Sequence, residues 1–272
     1  MPNWHLKHSH TFQGQRVRYD IRGNGPPLVL VHGTPWSSFN WRHLIAHFAE
    51  QWTVYFYDLL GYGQSEMRTG QDVSLGIQNQ ILASLLDHWQ LTTPCIIGHD
   101  FGGTTVLRTH LIERRNFAKI VLVDPVALSP WGSPFFAHVK KHEAAFQDLP
   151  EYIHEAVVTA YVKGAMYRPM PEETLAGIIE PWRGETGRKA FYRQIAQADQ
   201  RFTDDITPQY ATITHPVLLV WGEKDTWIPI DKGQELHTMI PGSQFRAIPN
   251  AGHLVQEDEP EKLFKAIQSF LK

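Results

Sequence analysis

Five short apolar runs, each closed by a glycine or an aspartate, limit what this chain can fold into more than any other feature. They are LVLVHG (28–33), WTVYFYD (52–58), CIIG (95–98), KIVLVD (119–124) and PVLLVWG (216–222). Near-continuous apolar strands are buried on both faces, which indicates a parallel sheet with helices packed on each side. Between the runs, Leu75, Ile77, Ile81, Leu82, Leu85, Leu86 and Trp89 recur at helical spacing. Further helices are expected near 39–50, 101–115, 232–239 and 259–271. Right-handed crossovers then make the sheet doubly wound, an α/β fold.

Two details complete this reading. Residues 15–21 look extended, and GNGPP (23–27) breaks the chain before the first buried run, so a hairpin is expected to lead into it. FRAIP (245–249) adds a short final strand. After Asp124 the alternation stops: 126–211 holds no comparable apolar run, but it has aromatic, helix-compatible segments at 152–161 and 189–200. The expected organisation is a core of residues 1–125 and 212–272 with residues 126–211 inserted as a helical cap.

Composition narrows the function. A net charge of -3 offers no basic surface for nucleic acid, so small molecules are the expected partners. Cys95 is the single cysteine and lies in an apolar run, which removes disulfide frameworks and cysteine-based metal sites. The first residues lack the basic-then-apolar order of a signal peptide, and no apolar stretch approaches the roughly 18 residues of a membrane helix. The expectation is a cytoplasmic protein with no membrane partner, acting on a small-molecule substrate with water and no cofactor or metal. Oligomeric state cannot be read from these residues.

In open α/β sheets the working groups sit in loops beyond the carboxyl ends of the strands. Four such loops are informative: HGTPW (32–36), GHDFGG (98–103), GEKDTWIP (222–229) and NAGHLVQEDEP (250–260). The second has the form of a nucleophile elbow, G-x-S-x-G, with Asp100 in place of serine. Asp100, Asp225 and His253 follow one another as nucleophile, acid and histidine, each after an expected strand. A lone aspartate at a strand end is more often a turn residue or helix cap; the flanking glycines and the ordered partners change that balance. Asp124 closes the strand after the elbow and is an alternative acid. His32 and His99 read as structural, fixing their turns through backbone hydrogen bonds.

These motifs resemble the α/β-hydrolase superfamily over nearly all of the chain apart from the cap. HG-x-P with an aspartate elbow is similar to the haloalkane dehalogenase and epoxide hydrolase branch, and HGTPWSSFNWR and GHLVQEDEP look nearest to haloalkane dehalogenases. The resemblance implies that the backbone N–H groups of Thr34 and Phe101 form an oxyanion hole. The chemistry suits the residue: a carboxylate is ionised at neutral pH and attacks an sp³ carbon without a partner base, giving an alkyl ester of Asp100. His253 then takes a proton from the water that hydrolyses the ester, with its acid orienting the imidazole. Attack on an ordinary ester would instead give a reactive anhydride, so an ester or lactone hydrolase is a minor alternative. A non-catalytic ligand-binding module is another, which an intact set of three residues disfavours.

The chain departs from both specialised patterns. Haloalkane dehalogenases hold the halide with an indole N–H from the residue after the nucleophile, plus an asparagine in the HG-x-P turn or a second tryptophan; here Phe101 and Thr34 stand at the first two positions, and phenyl has no donor. Trp36, Trp131 and Trp182 are candidate replacements. Epoxide hydrolases use cap tyrosines; AFYRQ (190–194) resembles the segment bearing one, Tyr192, and Tyr152 and Tyr161 are candidates for the other. The sequence reads as haloalkane dehalogenase-like, acting on a small, mostly apolar substrate, with epoxide hydrolysis as a nearly level alternative.

Overall fold

A computed structural model describes residues 4–272. Eight strands form one sheet in the order β1-β2-β4-β3-β5-β6-β7-β8: β1 (His8–Phe12), β2 (Gln15–Arg22), β3 (Pro27–Val31), β4 (Thr53–Tyr57), β5 (Cys95–His99), β6 (Lys119–Val123), β7 (Val217–Gly222) and β8 (Gln244–Ile248). From β4 to β8 every neighbouring pair is parallel. This is the doubly wound α/β sheet expected from the apolar runs.

The period-two pleat explains why those runs are apolar throughout. Val29 and Val31 of β3 face one core and Leu28 and Leu30 face the other. The first core is shared with α2 (Leu75–His88) and α3 (Phe101–Leu111), the second with α1 (Arg42–Phe48) and α12 (Pro260–Leu271). In α12, Leu263, Ile267 and Leu271 repeat every fourth residue and are buried, so that stripe seals the sheet's second face.

One strand pairing differs from the sequence expectation. Residues 15–22 do not form a hairpin with β3; β2 pairs antiparallel with β1 through a turn at Gln13 and Gly14, both at positive φ, and antiparallel with β4 on its other side. GNGPP carries the chain past β4, and β3 lies beyond it. A turn signal marks where a strand ends, while the partner is set by burial elsewhere in the sheet.

Between β6 and β7 come six helices: α4 (Pro134–Lys141), α5 (Glu143–Gln147), α6 (Glu151–Lys163), α7 (Glu172–Ile179), α8 (Gly184–Ala196) and α9 (Arg201–Asp204). They are tied to the core by buried polar contacts. Trp182 Nε1 donates to Pro35 O at 2.9 Å. The buried Asp258, in α11 (Val255–Asp258), accepts the backbone N–H groups of Tyr167, Arg168 and Gly252 at 2.8–2.9 Å. α10 (Ile230–Met239) covers β7. No helix among the described residues is long and apolar enough to cross a membrane.

Candidate active site

β5 ends at His99 and α3 begins at Phe101, so Asp100 makes the reversal alone, at φ 53°, ψ -121°. Such a conformation costs a non-glycine residue about 1–3 kcal/mol and persists where its surroundings over-determine it. Here the Asp100 N–H donates to Val123 O at 3.2 Å, and its carbonyl accepts from Gly103 N at 2.9 Å and Val126 N at 3.2 Å. The turn also needs α3 to pass against β3. A Cβ on Gly102 would lie 2.2 Å from Val31 O, which explains the glycine.

The reversal presents the buried Asp100 carboxylate to two other loops. Its Oδ1 accepts the Thr34 N–H at 2.6 Å, and its Oδ2 lies 3.3 Å from His253 Nε2. His253 Nδ1 lies 2.8 Å from Asp225 Oδ2, and Asp225 Oδ1 accepts the N–H groups of Trp227 at 2.7 Å and Ile228 at 2.9 Å. Gly33 makes the close approach: a Cβ there would stand 2.3 Å from Asp100 Oδ1. The structure therefore brings Asp100, His253, Asp225 and the Thr34 N–H together. The Phe101 N–H follows Asp100 at the start of α3, where helical N–H groups lack intrahelical acceptors.

Charge in this cluster follows from burial and partners. Burial disfavours the His253 imidazolium, but the Asp225 charge and the hydrogen bonds to Asp100 and Asp225 outweigh it, and the pKa stands well above the ordinary value. Asp124 goes the other way from a free carboxylate: burial first, then the Asp225 charge, pushes its pKa well above the usual range. Its Oδ1 accepts the Gly222 N–H at 2.9 Å, and His253 Nδ1 faces Asp225, so the alternative assignment of Asp124 as the histidine's partner does not match the geometry.

His32 and His99 are held neutral, chiefly by burial. His32 Nε2 accepts the Leu59 N–H at 2.9 Å, which places its proton on Nδ1, directed at Gly33 O. His99 Nε2 lies 2.9 Å from the His253 carbonyl and must donate to it. Both rings fix backbone around the site.

Above Asp100 opens a cavity of about 640 Å³, lined by Thr34, Phe101, Val126, Trp131, Phe136, Tyr161, Trp227 and Ile228, with the exposed Asp231 and Glu235 where it meets solvent. Of the six residues expected to contact a substrate or leaving group, Tyr161 and Trp131 line it. The Trp131 N–H, however, donates to Thr203 Oγ1 at 2.8 Å, and the ring packs edge-on against Phe101. Tyr161 is partly buried, and desolvation of its hydroxyl, then the Asp100 charge, raises its pKa well above the ordinary value, so the hydroxyl keeps its proton.

The other four expectations are corrected by their surroundings. Tyr152, at the start of α6, is 74% exposed and does not line the cavity. Trp182 spends its N–H on Pro35 O. Tyr192 is buried within the helices, its hydroxyl 3.1 Å from His154 Nδ1. Trp36 is buried under Trp227, rings 5.7 Å apart, its N–H without a partner and away from the cavity lining.

Sequence reasoning missed Gln194 and Trp227. Gln194 Oε1 accepts the Thr34 hydroxyl at 2.5 Å and the Tyr62 hydroxyl at 3.1 Å, so the AFYRQ segment does reach the HGTP turn, through a residue two places after the expected tyrosine. Two residues on a helix are about 200° around its axis, so Tyr192 and Gln194 face opposite ways. Trp227 stacks on His253 with centroids 5.1 Å apart. An aromatic residue two places past the acid was its only sequence signal.

Comparison with known proteins agrees with this geometry at the level of fold. A family model described as the alpha/beta hydrolase family matches residues 28–266. A crystal structure of an alpha/beta hydrolase fold protein from Burkholderia ambifaria superposes with a TM-score of 0.95 at 47% identity, covering 98% of each chain. The uncharacterized hydrolase YugF of Bacillus subtilis is 27% identical, covering 96% of both chains. Haloalkane dehalogenase 2 of Mycobacterium tuberculosis is 25% identical, over 93% of this chain and 90% of its own.

Proposed function

The chain belongs to the alpha/beta hydrolase family, and on that premise we propose that it hydrolyses a small, mostly apolar substrate in two steps through an ester formed on Asp100. The carrying observation is a carboxylate where the fold presents its nucleophile, bonded through Oδ1 to the Thr34 N–H and 3.3 Å through Oδ2 from His253 Nε2. Oδ2 has only the longer contact and is the oxygen free to attack. It displaces the leaving atom from an sp³ carbon, forming the carbon–Oδ2 bond as the carbon–leaving-group bond breaks.

Esterification removes the Asp100 charge, one of the influences that keep His253 protonated. With that influence gone, the imidazole can release its proton and act as a base. Water then adds to the Asp100 carboxyl carbon, giving its proton to His253 Nε2 while charge gathers on Oδ1, where the Thr34 N–H already points. Collapse breaks the bond between that carbon and Oδ2, the alcohol leaves with Oδ2 and a proton from His253, and the Asp100 carboxylic acid left behind returns its proton to His253, restoring the resting pair. Asp225 stays hydrogen-bonded to Nδ1 behind the imidazolium.

The leaving atom is best served by Tyr161. It is the cavity-lining phenol close enough to feel Asp100, and it remains a donor at working pH. A phenol donor suits the alkoxide of an opened epoxide, so epoxide hydrolysis is the reading we favour. The similarity to haloalkane dehalogenase 2 favours a second reading, halide expulsion, but the indole N–H groups of Trp131 and Trp182 are committed elsewhere. Incubating His253→Ala with epoxide and haloalkane panels and weighing the Asp100 peptide tests this. A stable alkyl adduct from an epoxide is expected; an adduct from haloalkanes alone overturns the preference, and none from either panel overturns the alkyl-enzyme scheme.

A further inference from the structure

Trp227 touches three residues of this site, Asp225, His253 and Tyr161. Its backbone N–H donates to Asp225 Oδ1 at 2.7 Å. Its indole stacks on His253 with planes 27° apart, and on Tyr161 with centroids 4.6 Å apart and planes 26° apart. Trp36, 18° from parallel, backs the same indole.

The imidazole of His253 meets its hydrogen-bonding partners in the ring plane: Nδ1 faces Asp225 and Nε2 faces Asp100. Those bonds fix the line between the nitrogens but leave the ring free to roll about it. The faces are covered by Trp227 and, at a tilt of 43°, by the neutral His99. The neighbouring Asp124 carboxyl has its pKa raised by burial and by the Asp225 charge, which weakens its charge against them. An aromatic face attracts a cation, more strongly where water is excluded.

We infer that Trp227 is a positioning residue: its indole face sets the roll of the His253 ring and stabilises the imidazolium that forms as water is deprotonated. This rests on His253 serving as the base in ester hydrolysis. By stacking on Tyr161 as well, the same indole joins the group that assists the first step to the group that drives the second.

The test reads His253 directly. NMR titration of the full chain with ¹³C-labelled histidine, assigned with His253→Gln, gives the His253 pKa without any substrate. Trp227→Leu is expected to lower it by roughly one unit, and Trp227→Phe to keep most of it. Replacing tryptophan throughout with its mono- to trifluorinated forms keeps the ring's shape and weakens its quadrupole, so the pKa should fall stepwise; this series decides alone should the leucine variant not fold. An unchanged pKa in folded Trp227→Leu, an equal drop for Leu and Phe, or a flat response to fluorination overturns the inference. Absence of any Asp100 adduct in the trapping experiment would instead overturn the alkyl-enzyme scheme while leaving a fluorine-dependent pKa intact, so the two failures are distinguishable.

Discussion

His253 Nδ1 lies 2.8 Å from Asp225 Oδ2, in a site where a second buried carboxyl, Asp124, has its pKa pushed up by burial at the end of the adjacent strand. Two acids were available to the histidine and the geometry pairs it with one. Asp225→Asn is expected to lower kcat by about 10³- to 10⁴-fold, since the amide no longer stabilises the imidazolium and favours the wrong tautomer. Asp124→Asn resembles the protonated form that burial favours and keeps an acceptor for the Gly222 N–H, so it should cost less than about tenfold. Steady-state kinetics of the two variants on one substrate checks the pair. The reverse ranking would make Asp124 the working acid.

The same Asp124 makes stability depend on pH. Its folded pKa is raised, so the unfolded chain ionises first as pH climbs past the ordinary carboxylate value, and stability falls until the folded group ionises too. His253, also raised, contributes stability that is complete below its ordinary value and is lost as pH rises through the folded one. Both act against the folded state on the alkaline side. Urea denaturation of Asp124→Asn should therefore show a weaker decline with rising pH than the parent chain, by up to about 1.4 kcal/mol per pH unit where only the unfolded Asp124 titrates. An unchanged slope would mean that Asp124 is ionised in the fold.

Removing the Tyr161 hydroxyl separates the two leaving-group readings. Tyr161→Phe should reduce epoxide turnover by roughly 10²-fold, the lower range for a positioned general acid, and leave any haloalkane turnover nearly unchanged. Rates on matched epoxide and haloalkane substrates measure this. Equal losses on both would assign Tyr161 to packing against Trp227.

The approach of the HGTP turn to Asp100 has no slack. Gly33→Ala puts a methyl 2.3 Å from Asp100 Oδ1 and must push the turn away, weakening the Thr34 N–H contact. An expected kcat loss of about 10²- to 10³-fold matches the removal of one oxyanion donor. Stopped-flow separation of the steps should place it mainly in ester hydrolysis. A loss confined to substrate binding would contradict the donor role.

Much of this was legible in the residues because it is written in buried strands and their ends. A strand covered on both faces must be apolar throughout, so β3, β4, β5, β6 and β7 declare themselves, and with the short β8 their parallel order places the loops of Asp100, Asp225 and His253 at the carboxyl ends of the strands. Strand partners are a non-local matter, which is why the extended pattern at residues 15–21 does not reveal that β2 pairs with β1 and β4.

The helices above the sheet were harder to read for a different reason. Periodicity tells which residues share a face but not what that face meets: Tyr192 turned to His154, while Gln194 took the contact with Thr34. Tyr152 shares α6 with Tyr161 yet lies in solvent. The stack of Trp36, Trp227, Tyr161 and His253 joins four separate segments and exists only once they are folded together.

The central claim is that a bond to Asp100 is made and then cut at its carboxyl carbon. Single turnover in H₂¹⁸O, with enzyme in excess over substrate, tests it most directly. The account predicts unlabelled product alcohol, its new oxygen being the former Asp100 Oδ2, and one ¹⁸O atom in the Asp100 peptide. Labelled product with unlabelled Asp100 would mean that water attacks the substrate itself, and would contradict the account.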